Sequence, residues 1–381
     1  MTAFDHSERI LARASELADR CALSAEKPDV GARNLSLEFS WLREAGLLAV
    51  PLPRELGGKG WGIESGTWRH LLRLLKIIGR GNLSVGRIYE GHVNALQLIL
   101  QWGNTTQIEA AAEDVQKGCL FGVWNTEAPN DGLFLTEIGS DSRRFRLAGA
   151  KTFASGASIL QRVFANATMR GGWQMCLVPL DRVQIERDTD SWQPLGMRAT
   201  ESIRVSFDGV ELDGSAFFGV SGDYHREPWF SGGAIRFAAV QLGGAEAVAE
   251  ASRHFLQQGS RIENPHQAIR AGEMAALLET GNLWLQGAAS RAEMASAFPE
   301  ELVAYAGLMR RTIERIGMEV IEHAVRSSGA RALLRPNLLE RLVRDLTMYL
   351  RQPVPDLVLE RAGKFTLKSE KHFDTLFFCR K

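Results

Sequence analysis

The sequence predicts an α+β protein in three successive parts: helices, then sheet, then helices. Three observations carry that expectation. Apolar residues recur at helical spacing through the first third of the chain. From about Cys119 to Phe207 the pattern changes to short runs with a period of two, as in half-buried strands. From Ser231 the helical period returns and lasts to Arg351. The parts read as an N-terminal all-α domain over 1–116, a middle β-domain over 117–222 and a C-terminal helical domain over 223–381.

In the first part, "RILARASELADRCAL" gathers Ile10, Leu11, Ala14, Leu17 and Ala18 on one face, and "LEFSWLREAGLL" repeats the stripe with Phe39, Leu42 and Ala45. "VPLPRELGGKGWG" is dense in Pro and Gly and reads as a loop. "TWRHLLRLLKIIGR" sets Trp68, Leu71, Leu72, Leu75 and Ile78 opposite Arg69, His70, Arg73, Lys76 and Arg80. That is a core helix with a solvated basic face. "HVNALQLILQWGNTTQIEAAAEDVQKG" gives a helix, a turn at Gly103 and Asn104, and another helix.

In the middle part, "CLFGVWNTE", "RVFANATM" and "WQMCLVPLD" are strand-like, and "RRFRLAGAKTFASGA" alternates around Phe145, Leu147 and Phe153. "SIRVSFDGVEL" places Ile203, Val205 and Phe207 on one face and Arg204, Ser206 and Asp208 on the other. In the last part, "SGGAIRFAAVQLGGAEAVAEASRHFL" reads as one long helix whose small residues suit close packing. Two further helical segments follow, then "NLLERLVRDLTMYLR". That helix stops at Pro353 and Pro355, which cannot continue the hydrogen-bond ladder. Asp356 then reads as the N-cap of "LVLERAG". The tail from Gly363 has no clear pattern.

Several function classes are disfavoured. The 45 basic and 45 acidic residues balance, which offers no electrostatic footing for nucleic acid or an anionic membrane. Cys21, Cys119, Cys176 and Cys379 are widely separated and read as free thiols. The N-terminus lacks a signal peptide's apolar core, and no apolar run approaches the roughly 18 residues of a membrane span. A soluble, cytoplasmic protein is expected. "GGKGWG" lies between helices, where it is a turn and not a phosphate cradle. His92, His254 and His323 stand singly on helices, so no metal site is expected.

Taken in order, a further set of stretches resembles the acyl-CoA dehydrogenase family over residues 8–362: "VPLPRELGGKGWG", "GNTTQIEAAAEDVQKGCLFGVWNTE", "LAGAKTFASGA", "PLGMRATESIRVSFDGVELDGSAFFG" and "ERLVRD". The resemblance implies an N-terminal α-domain, a middle β-barrel or sandwich and a C-terminal four-helix bundle. It also implies FAD held without a nucleotide-binding glycine loop, a small-molecule acyl thioester as substrate, and a homodimer or homotetramer. The positions matching the family's flavin contacts are Trp124, Thr126, Glu127, Phe153 and Ser155. Arg261, Gln267, Arg326 and Gly329 match the stretch that completes the adenine and pyrophosphate site from a partner chain, although the loop near Pro265 is shortened and Arg326 stands where Gln is expected.

The family's α,β-dehydrogenation needs a carboxylate to take a proton from carbon. The resemblance puts that acid eight residues after Asp345, where this chain has Pro353, or just before Arg236, where it has Ile235. Substitute bases are Asp356, Glu90 and His92, the last two on the segment that lines the family's acyl pocket. Tyr224, His225, Arg226, Glu227 and Trp229 form a dense aromatic and charged loop before the helix that faces the flavin in the family, and are candidate substrate contacts. An oxidase or monooxygenase of the same superfamily, or a scaffold without activity, is the alternative to the dehydrogenase.

Overall fold

A computed structural model describes residues 3–139, 143–170, 172–259 and 261–377; Cys379 lies outside them. Six helices come first: α1 (Ala3–Ser24), α2 (Glu26–Asp29), α3 (Ser36–Glu44), α4 (Trp68–Gly81), α5 (Leu83–Trp102) and α6 (Thr105–Gln116). The turn at Gly103 and Asn104 is realised as a reciprocal cap. Asn104 accepts from the Gln107 amide at 2.9 Å, and the Gln107 side chain accepts from the Asn104 amide at 3.0 Å. Asn82 caps α5 by accepting from Ser84 and Val85, a contact worth about 1 kcal/mol.

Ten strands follow: β1 (Phe121–Trp124), β2 (Phe134–Glu137), β3 (Arg144–Ala148), β4 (Ala150–Ala154), β5 (Arg162–Met169), β6 (Gly172–Pro179), β7 (Glu186–Asp188), β8 (Ile203–Ser206), β9 (Glu211–Asp213) and β10 (Phe217–Phe218). They form a seven-stranded sheet, β10-β6-β5-β2-β3-β9 with β1 parallel to β5, and a three-stranded antiparallel sheet β4-β8-β7. The register of β4 against β8 slips between Lys151 and Ala154. Phe153 sits inside the slip at φ +52°. Such a bulge re-aims a side chain, and the Phe153 ring is 52% exposed while its strand neighbour Ala154 is buried.

The C-terminal part holds α7 (Trp229–Gly232), α8 (Ala234–Gln258), α9 (Pro265–Ala292), α10 (Pro299–Ser328), α11 (Leu338–Tyr349) and α12 (Pro355–Lys368). The single long helix expected from Ser231 is broken at Gly233, which separates α7 from α8. Helices α8 to α11 pack as a bundle, and α4 joins it against α8. The small residues act as expected at that contact: a Cβ on Gly243 would stand 2.0 Å from the Lys76 carbonyl oxygen. The unassigned tail from Gly363 continues α12 to its end at Lys368. Asp356 does not cap it: the N-cap is Val354, in the left-handed region at φ +50°, and Asp356 is the second helical residue.

A joint ties sheet to bundle. The Met197 amide donates to Asp345 Oδ1 at 2.7 Å. A Cβ on the preceding Gly196 would stand 2.1 Å from the Arg344 carbonyl oxygen. The "LGMR" and "RLVRD" motifs are therefore two halves of one contact. Asp345 is buried beside Arg341, and burial pushes its carboxyl up to about 6.

Candidate active site

A cleft of about 1090 Å³ lies where α5, the end of β1, the Phe153 bulge and helices α7, α8, α10 and α12 converge. Its floor is built on α5. Arg87, Glu90, Asn94 and Leu98 recur at three- and four-residue intervals and so share one face. Arg236, from the first turn of α8, is buried and meets that face. Its guanidinium donates to Glu90 Oε1 at 3.1 Å, Gln97 Oε1 at 2.8 Å and Asn94 Oδ1 at 2.6 Å. Arg87 donates to the other Glu90 oxygen at 3.3 Å. Gln97 donates in turn to the Gly62 carbonyl, which ties the "GGKGWG" turn to the floor. Glu90 is thus a charge-neutralising strut between two arginines, a poor arrangement for a proton acceptor.

His92 is two residues further along the same helix and faces away. A carbonyl can only accept, so the contact of Nε2 with the Leu48 oxygen at 2.9 Å makes Nε2–H the donor. Nδ1 then accepts from the Phe121 amide at 3.1 Å. Both nitrogens are committed, the ring is fully buried, and burial lowers its pKa to about 4. His92 is removed as a base: it pins the N-terminal helices to β1. Asp356 is removed as well, being exposed and absent from the cleft wall.

The family's acid position does reach the cleft. Pro353 lines it, and its carbonyl oxygen accepts a hydrogen bond from Arg310 of α10. A cation, not a carboxylate, therefore stands over this point. Ile235, at the second acid position, is buried.

Of the five positions matched to the flavin, Thr126 and Phe153 line the cleft. The other three need correction. Alternation along β1 turns Val123 and Asn125 to the cleft and Trp124 to the core, where its indole donates to the Ser155 carbonyl at 3.0 Å. Ser155 is buried with its hydroxyl against Ser202 at 2.8 Å. Glu127 accepts from Lys151 at 2.6 Å and from the Leu133 amide at 2.7 Å, a strut inside the β part. Of the aromatic loop, Tyr224, Glu227 and Trp229 line the cleft, whereas His225 and Arg226 do not. His225 stacks edge-on to Trp173, and Arg226 pairs with Asp223 at 2.7 Å. Arg261, Gln267, Arg326 and Gly329 also lie off the cleft wall, where the start of α9 meets the end of α10. There Gln267 donates to the Ser327 carbonyl and Arg326 pairs with Glu322.

Sequence reasoning missed Tyr349, the last residue of α11. It lines the cleft, is 4% exposed, and carries a buried hydroxyl with no hydrogen-bond partner among the described residues. Burial raises its pKa well above the ordinary phenol value, so the hydroxyl keeps its proton. The polar stripe Glu90, Asn94, Gln97 on an otherwise apolar helix was a legible signal for the floor; nothing in the sequence marked Tyr349.

The cleft fits a planar, polar-edged cofactor. An exposed ring, Phe153, is held out into it, Thr126 offers a hydroxyl at its edge, and an orphaned donor waits in its wall. The volume lies at the top of the roughly 300–1,000 Å³ typical of small-molecule sites, so a second small molecule can share it. Among the described residues no group of three or more His, Cys, Asp or Glu could hold a metal, and no helix is long and apolar enough to cross a membrane.

Residues 235–350 match the family model described as acyl-CoA dehydrogenase, C-terminal domain. The chain is 25% identical over 389 residues to a probable FMNH2-dependent monooxygenase, SfnC, of Pseudomonas putida, covering 95% of each. The solved structure of TdsC from Paenibacillus sp. A11-2 with FMN and indole matches at a TM-score of 0.85 and 22% identity, over 94% of this chain and 97% of that one. Butyryl-CoA dehydrogenase from Megasphaera elsdenii matches at a TM-score of 0.82 and 17% identity, over 97% and 99%.

Proposed function

We propose that this chain, whose residues 235–350 match the C-terminal domain of the acyl-CoA dehydrogenase family and whose fold is that of its solved members, is a flavin-dependent monooxygenase that takes reduced FMN. The observation that carries this reading is Pro353: the point where a dehydrogenase of this family keeps its acid is on the cleft wall, and it bears a carbonyl held by Arg310. The α,β-dehydrogenation expected from the resemblance requires that acid, and neither of its two positions has one. The full-length similarity to a probable FMNH2-dependent monooxygenase supports the same choice.

In this reading Phe153 and Thr126, which line the cleft, would hold the flavin, the ring by contact with its face and the hydroxyl by a hydrogen bond to its polar edge. The chemistry supplied by the reduced flavin is activation of O2, with one oxygen atom entering the substrate and the other leaving as water. The protein's contribution is positional and electrostatic. Tyr349 holds a neutral donor at a fixed point of the wall, without the cost of breaking an existing hydrogen bond. The Arg236 network keeps the floor rigid, and Tyr224, Trp229 and Phe230 close the α7 side with apolar rings. A homodimer or homotetramer remains part of the proposal.

The test is an oxygenation assay with FMN, a flavin reductase and NADH under 18O2, over a panel of sulfides, sulfinates and small aromatics. Incorporation of a single 18O atom into a product is expected. Anaerobic bleaching of bound flavin by an acyl-CoA, with no oxygen incorporation from any substrate, would overturn the reading.

A further inference from the structure

The chain is electrically neutral, but the cleft is not. Seven cationic side chains line it against four anionic ones. Glu90 is spent on Arg87 and Arg236, and Glu301 on Lys371. Lys364 is paired with Glu360, and Glu300 stands at the start of α10, so the lining cations outside ion pairs among the described residues are Arg310, Arg361 and Lys368, all on the wall made by α10 and α12. These helices lie close, since a Cβ on Gly307 would stand 3.0 Å from Val358 Cγ1, and they run antiparallel, with Arg310 meeting Pro353 at one end and Glu301 meeting Lys371 at the other.

Arg310 is the inner cation of this wall. It is half-buried, 5.6 Å from the Phe237 ring centroid, and forms no ion pair with a carboxylate among the described residues. Among the described residues its hydrogen bond goes to the Pro353 carbonyl, which leaves most of a guanidinium's five donors for a ligand. Towards the mouth, Arg361 and Lys368 also line the cleft and have no ionic partner among the described residues. Glu314 is the carboxylate that acts on Arg310, but its oxygens are engaged by Arg311 and Arg351. A half-buried guanidinium left outside the ion pairs, beside an apolar ring, suits an anion with an apolar body.

We propose that the substrate is an organic anion, an aryl or alkyl group bearing a sulfonate, sulfinate or carboxylate. Arg310 receives the anionic group, and Arg361 and Lys368 draw it in. The inference rests on the monooxygenase reading for the word substrate; the binding claim does not need turnover. Phosphate on FMN is the other source of the same chemistry, and the test separates the two.

The probes are 8-anilinonaphthalene-1-sulfonate and its neutral counterpart N-phenyl-1-naphthylamine, followed by fluorescence on the full chain with and without saturating FMN. The wild type is expected to prefer the sulfonate by about tenfold, equivalent to about 1.4 kcal/mol. Arg310→Gln should reduce that preference to about threefold or less, and Arg310→Lys should recover part of it; neither should change FMN affinity. Unchanged circular dichroism and neutral-dye binding identify Arg310→Gln as folded. The double variant Arg361→Gln/Lys368→Gln should slow capture of the sulfonate at low salt and match the wild type at high salt, since exposed charges are screened beyond about 8 Å at 0.15 M. Equal binding of the two dyes overturns the proposal. So does a preference that vanishes when FMN is added, or a loss at Arg310→Gln confined to FMN. A chain that oxygenates nothing yet still separates the dyes would sink the proposed function and leave this inference standing.

Discussion

Glu90 and His92 are two residues apart on α5, and both were candidate bases, yet they serve opposite faces of the helix. The face bearing His92 is finished: each ring nitrogen has a partner, and the side chain is fully buried against Leu48 and Phe121. The face bearing Glu90 opens on the cleft, and its polar atoms engage arginines that also line it. The contrast teaches that burial alone does not mark a functional site. The informative sign is a polar group left over once the pairs are made, as with the buried Tyr349 hydroxyl and the half-buried Arg310 guanidinium with donors to spare.

The comparison breaks most easily at Glu90. Glu90→Ala should leave Arg236 buried without a carboxylate and destabilise the fold by about 3–5 kcal/mol in urea melts. Glu90→Gln, which keeps an acceptor, should cost about 1–2 kcal/mol. Equal, small effects would show that the strut is dispensable.

His92 gives the next effect, visible as a pH slope. Its folded value near 4 lies below its ordinary 6.5, so the folded chain resists protonation there. The contribution is fully present above pH 6.5 and is lost as pH falls through about 4, amounting to about 3 kcal/mol. His92→Gln should flatten the wild-type decline over that window; an unchanged slope would place the acid sensitivity elsewhere.

Tyr349→Phe sharpens the distinction, because stability and activity should separate. Removing a buried hydroxyl that has no partner should leave stability within about 1 kcal/mol or raise it. Turnover should fall about tenfold with KM little changed, if the hydroxyl acts in the transition state. Phe153→Ala is the smallest: its exposed ring contributes little to folding, so the melt should be unmoved while FMN affinity drops about threefold to tenfold.

Much of the fold was legible because its signals are local. The Asn104 cap, the small residues of α8 and the alternation in β8 each sit within a few residues of one another. The site was less legible because its pairs are distant. Arg236 reaches Glu90 across 146 positions, and no period along either helix announces the match. Strand alternation could have been used better: with Trp124 buried, Val123 and Asn125 had to face the other way. Phe153 escaped that rule because the register slip sets it apart from its neighbours. Arg310 lay in a segment read only as helical, and the carbonyl it meets belongs to a proline 43 residues away.

The joint between Met197 and Asp345 has a consequence for biogenesis. The two are separated by 148 residues of sequence. At about 5–20 residues per second, the ribosome needs roughly 7–30 s to deliver the second after the first. Throughout that interval the strained, left-handed backbone at Met197 has no carboxylate to hold it, and the groove at Gly196 has no helix to fill it. The sheet therefore emerges with one seam open, and its closure waits on nearly the last helix to be translated. Nascent chains arrested before Leu338 are expected to be cut by protease at the Leu195–Thr200 loop, and chains released past Arg351 to be protected there.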